Sequence, residues 1–149
     1  MHNSIGTLND LIQTLKDGQE GYNAAAHDVE SPDLKQVFLE YSLQRSGFAG
    51  ELQALVVSLG EPKPQAEGSV AGALHRGWID LKSALSTRDA HAILAECERG
   101  EDSAVASYRK ALDDADLPGN LRGTLQTQFT AIKAAHDKVK MLRDSLAAK

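Results

Sequence analysis

The sequence predicts an all-α protein of four long helices, with one shorter helix between the second and the third. Three observations predict it. Apolar residues recur at spacings of three and four along most of the chain. No stretch alternates like a strand for long. Turn chemistry is confined to a few places: "ESPDL" at 30–34, "LGEPKPQAEGS" at 59–69, "STRD" at 86–89 and "DADLPGN" at 114–120.

The first helix, about 4–29, carries Ile5, Leu8, Ile12, Leu15, Tyr22, Ala26 and Val29 on one stripe. Ser31 then reads as an N-cap and Pro32 as the first helical residue, where a missing N–H costs nothing. The second helix, about 32–59, carries Leu34, Val37, Phe38, Tyr41, Phe48, Leu52, Leu55 and Leu59. A linker with two prolines follows, then a shorter helix, about 69–86, with Val70, Leu74, Trp78, Leu81 and Leu85. Ser86 or Thr87 is expected to cap the third long helix, about 88–114, which carries Leu94, Val105, Tyr108 and Leu112. The fourth, about 119–147, starts beside Pro118 and carries Leu121, Leu125, Ile132, Val139, Leu142 and Leu146.

Length and composition set the class. The 149 residues suit one domain, 1–149, with a sizeable core. Net charge is −5 with both signs mixed, and aromatics are 5%, so neither a basic patch nor a base-stacking surface for nucleic acid is expected. Cys97 is the single cysteine, which rules out an intrachain disulfide or a zinc knuckle. The opening "MHNSIGTLNDLIQ" lacks the basic flank and apolar run of a secretion signal, and no apolar stretch approaches the ~20 residues of a membrane span. A cytoplasmic protein with no membrane contact is expected.

Short links between the first and second helices, and between the third and fourth, make each pair an antiparallel hairpin. The middle connection is long enough to carry the chain back from one end to the other, since 18 helical residues span about 27 Å. That is the one-crossover topology of ferritin-like bundles. On this topology the polar residues that interrupt the inner stripes fall at one height. Gln19, Gln44, Arg45, Glu98, Glu101 and His136 lie in a band about 6 Å thick at 1.5 Å per residue. Gln128 falls outside it.

A buried carboxylate must be paired or metal-bound. Two readings follow. Arg45 can satisfy the glutamates through paired hydrogen bonds, so that the layer fixes helix register without a metal. Alternatively Glu98, Glu101 and His136, with Glu20 on the flank of the first helix, hold iron or manganese.

At "HRGWIDLKSAL" (75–85), "ECERGED" (96–102) and "AAHDKVKMLRD" (134–144), the chain resembles an uncharacterised family of bacterial four-helix-bundle proteins assigned to the ferritin-like superfamily. "LNDLIQTLKDGQEGY" (8–22) and "RSGFAGELQ" (45–53) extend the resemblance over nearly the whole chain. It implies the bundle with a crossover helix and does not imply ferroxidase chemistry. Against the metal-binding pattern of a Glu from two helices and Glu-x-x-His from the other two, the sequence departs. Leu15, Gln19 and Tyr22 stand where the first helix would supply a Glu; Ala54 follows Glu51 where a His is needed; Lys133 precedes His136 where a Glu is needed.

Other features have local readings. Leu39, Leu43, Gly47, Gly50 and Ala54 give the second helix another apolar or small face, and Gly18, Gly21, Ala24 and Ala25 lie near the same height on the first. Either the crossover helix packs there or two copies of the chain dimerise through these helices. Trp78 is read as the crossover helix's apolar anchor, with His75 and Arg76 beside it solvated. His2, His27 and His91 have no convergent partners, and Cys97 reads as a small buried residue. His136 faces inward in this reading, which weighs against a phosphotransfer histidine. There is no Gly-rich phosphate loop, nucleophile elbow or HExxH. The expectation is a non-enzymatic structural or stress-associated binding protein, the alternative a metal-binding or redox protein.

Overall fold

A computed structural model describes residues 4–60, 78 and 80–147. Among them are five helices and no strand: α1 (Ser4–Asp28), α2 (Pro32–Ser58), α3 (Leu81–Thr87), α4 (Ala90–Leu112) and α5 (Gly119–Ala147). The chain is all-α. The expected helix 69–86 is not continuous: Asp80 is the N-cap of α3 and Trp78 stands before it outside any helix, while Val70, Leu74, His75 and Arg76 lie outside the described residues.

The helix ends follow from local chemistry. Ser31 Oγ accepts from Leu34 N at 3.3 Å and Pro32 opens α2. The cap of α4 differs from expectation: Asp89, not Ser86 or Thr87, is the N-cap, accepting from His91 N at 3.1 Å. The reason is Arg88. Its left-handed backbone (φ 55°) ends α3, so the first extended residue before α4 is Asp89. At the far end of α4, Arg122 donates to Leu112 O (2.5 Å), a carbonyl the helix leaves open, and to Asp114 O (2.6 Å) in the turn that follows.

α1 packs along α2, α4 along α5, and α1 also lies against α4. The apolar interior divides into two clusters. One gathers Tyr22, Val29, Phe38, Ile93, Leu94 and Val139, and so contains the end of α1, the starts of α2 and α4 and the end of α5. The other gathers Leu8, Leu15, Leu52, Val56, Tyr108, Leu121 and Leu125 from the opposite ends. α2 and α4 therefore run in the same direction. The chain leaves α2 at the second cluster and returns at Trp78, which belongs to the first. No helix among the described residues is long and apolar enough to cross a membrane.

Candidate functional site

Arg45 and Glu101 stand between the two apolar clusters. On α2, Arg45 lies between Phe38 and Ala49; on α4, Glu101 lies between Cys97 and Ala104. Both side chains are sealed, Arg45 at 1% and Glu101 at 0% exposure. Arg45 Nη1 donates to Glu101 Oε1 at 2.6 Å and Nη2 donates to Oε2 at 2.7 Å, a two-pronged match of planar guanidinium to planar carboxylate. Arg45 Nε donates to Gln44 Oε1 at 3.0 Å. The Tyr22 hydroxyl donates to Glu101 Oε2 at 2.5 Å, and the guanidinium carbon lies 5.5 Å from the centre of the Tyr22 ring. Glu101 thus receives three strong donors from two other helices.

The electrostatics follow the burial. Desolvation works against the Arg45 cation, but the Glu101 carboxylate outweighs it and the guanidinium is held charged even more firmly than usual. Burial, and then the Glu101 charge, push the Tyr22 phenol well above its ordinary range. The same two causes raise the Cys97 thiol, a fully covered neighbour.

Trp78 closes one side of this network. Its ring meets Tyr22 edge-on at 5.3 Å and lies flush against α1 and α4. A Cβ at Gly21 would stand 2.6 Å from the indole, and one at Gly100 only 2.2 Å away. The two glycines exist for the tryptophan. Gly18 faces Arg45 at an ordinary 3.5 Å. Where the chain returns, Glu96 Oε2 accepts from Asp80 N at 2.8 Å, and Arg99 pairs with Asp80 at 2.8 Å. Burial raises the Glu96 carboxyl, opposed by the Asp80 N–H and by the nearby Arg99 charge.

The other sequence-expected residues are placed as follows. Gln44 joins Arg45. Gln19 is at the height of the pair; its Oε1 is buried with no hydrogen-bond partner among the described residues, and its backbone carbonyl accepts from Ser42 Oγ at 2.9 Å. Glu98 is not brought to Glu101's partner: it pairs with Arg143 of α5. His136 lies on the seam between α4 and α5, with Nε2 2.7 Å from Asp102 Oδ1 and Nδ1 3.0 Å from Asp137 Oδ1. Glu20 is exposed on α1. The four residues proposed as metal ligands are therefore divided: Glu101 inside, Glu98 and His136 on the seam, Glu20 on the surface. The cause is helix geometry. At about 100° per residue, Asp102 lies about 40° to one side of Glu98 and Glu101 about 60° to the other, so Glu101 turns into the core while Asp102 turns outward.

Tyr22, Asp102 and Arg143 were not singled out from the sequence. Tyr22 carried a signal, since a tyrosine on a core stripe needs a partner for its hydroxyl. Gln128, outside the expected band, makes a second buried contact: it accepts from the Tyr108 hydroxyl at 2.7 Å and donates to Glu51 Oε1 at 2.8 Å. A groove of about 590 Å³ runs between α1 and α4, lined by Thr7, Asp10, Thr14, Ser107 and Lys110, none of them part of the Arg45–Glu101 network.

The family model described as "Domain of unknown function (DUF2383)" matches residues 3–114, which take in α1 to α4 and the whole Arg45–Glu101–Tyr22 network. A search of the curated proteins finds no match.

Proposed function

The chain belongs to the DUF2383 family, and from that footing we propose that it is a ferritin-like four-helix bundle with a crossover between α2 and α4, in which an internal ion pair takes the place of a core metal. It acts as a non-enzymatic structural or binding protein. One observation carries this reading: both oxygens of Glu101 are already engaged, by two prongs of Arg45 and by the Tyr22 hydroxyl. A carboxylate so held has little left to offer a metal, and a fixed cation beside it repels one. Metal analysis after loading with iron or manganese tests it. No retained metal should depend on Glu101; stoichiometric metal lost in Glu101→Gln would overturn the reading.

A second copy of the chain is the partner that α2 fits. Its outer face exposes Leu39 (42%) and Leu43 (75%), and a Cβ at Gly47 or Gly50 would meet no described atom within 4 Å. Small residues flanked by leucines allow two helices to approach closely, and one such face is complementary to itself across a two-fold axis. Sedimentation velocity should give a dimer for the native chain and a monomer for Gly47→Glu. A native monomer at tens of micromolar contradicts the pairing.

A further inference from the structure

We propose that Glu98, Asp102 and His136 form a site for one divalent transition-metal ion on the seam between α4 and α5, outside the core. One ligand atom from each of the three lies within 4.8 Å of the others. Tetrahedral coordination with bonds near 2.1 Å places ligand atoms about 3.4 Å apart, so small side-chain rotations complete the set. Asp102 is 63% exposed on its side chain, which gives ions access.

The histidine supplies the second argument. Both of its ring nitrogens face carboxylate oxygens, Asp102 on one side and Asp137 on the other. A neutral imidazole carries one N–H. Asp137, itself held by Lys133 Nζ at 2.7 Å, is placed to accept that N–H from Nδ1. With the N–H on Nδ1, Nε2 turns its lone pair toward Asp102 and Glu98, and a metal ion would take the place of the proton that otherwise fills the 2.7 Å contact with Asp102. A carboxylate behind a ligating histidine fixes its tautomer and raises its basicity.

The donor set names the ion class. One imidazole nitrogen with two carboxylate oxygens suits a borderline ion such as Zn²⁺, whereas Mg²⁺ and Ca²⁺ favour oxygen alone. Water fills the remaining positions. Arg143 is the built-in competitor, because it now holds Glu98. It also pairs with Asp144 at 2.8 Å, so it keeps a partner when Glu98 turns to the metal. The ion would tie α4 to α5 near mid-length. The proposal stands apart from the metal-free core and does not depend on it.

Isothermal titration of the full chain with zinc chloride, and in parallel with magnesium chloride, tests the site. One zinc per chain and no magnesium binding is expected. His136→Ala and Asp102→Asn should each weaken zinc by at least about tenfold, and Asp137→Asn by about 10- to 100-fold, as loss of an outer carboxylate does. Arg143→Ala should tighten it. Circular dichroism checks that each variant folds; all four positions are on the seam or the surface. The proposal is overturned if zinc does not bind, or if it binds His136→Ala/Asp102→Asn as tightly as the native chain. Loss of zinc in Glu101→Gln, with His136→Ala unaffected, would put the ion in the core and overturn both readings. Loss in His136→Ala alone leaves the core reading standing.

Discussion

Tyr22, Tyr41 and Tyr108 are all the tyrosines of the chain, and burial raises all three phenols. Glu101 adds to the effect at Tyr22 and Tyr41; at Tyr108, Glu51 adds to it and Arg45 opposes it. A phenol whose folded value lies above its unfolded value of about 10 stabilises the fold in full below that pH. The contribution is lost as pH rises through the folded values. Stability should therefore fall from about pH 10 upward. Phenolate absorbance near 295 nm should appear together with unfolding rather than before it. A normal titration of even two tyrosines in folded protein would contradict the burial. This scale was the least legible in sequence. Glu101 and Arg45 stood out as charges on apolar stripes, but a tyrosine on such a stripe reads as one more apolar residue. Glu98 and His136 appeared to belong to the same layer because height along a helix is easily counted. The 60° that separates Glu98 from Glu101 around the axis decides which is buried, and an inner stripe about 100° wide takes in both.

Among the helices, Gly100 and Gly47 make opposite demands. Alanine is worth about 1 kcal/mol over glycine in a helix interior. Within one chain nothing described opposes that gain at Gly47, since no described atom lies within 4 Å of the new Cβ. At Gly100 the Cβ would lie 2.2 Å from the Trp78 ring, and the indole or the backbone must give way. Overpacking of that kind costs about 1–3 kcal/mol. Urea unfolding of dilute, monomeric protein should show Gly47→Ala more stable than the native chain by up to about 1 kcal/mol. Gly100→Ala should be less stable, with a shift in Trp78 fluorescence. Equal effects at the two sites would refute the placement of the indole. Helix ends were the most legible feature: apolar periodicity, Ser31–Pro32 and Pro118 set the long helices to within about two residues. The α4 cap was not, because only the left-handed turn at Arg88 decides whether Thr87 or Asp89 precedes the helix.

At the scale of the whole molecule, two apolar clusters are joined across a single charged bridge. The direction of the chain through them, α2 parallel to α4, followed from the length of the middle connection. The partner of Glu101 did not follow: sequence left Arg45 and a metal as rivals, because either neutralises a carboxylate and only distance separates them. A buried ion pair adds little net stability, since desolvation offsets most of the attraction, but leaving one partner alone is costly. The central claim is that Arg45 and Glu101 neutralise each other. Urea unfolding of Arg45→Met, Glu101→Leu and the double variant tests it most directly. Each single change should cost about 3–5 kcal/mol by stranding a buried charge, and the double variant should recover most of that loss. Single losses that simply add in the double variant would show that the two side chains do not depend on each other, and the account of the core would fail.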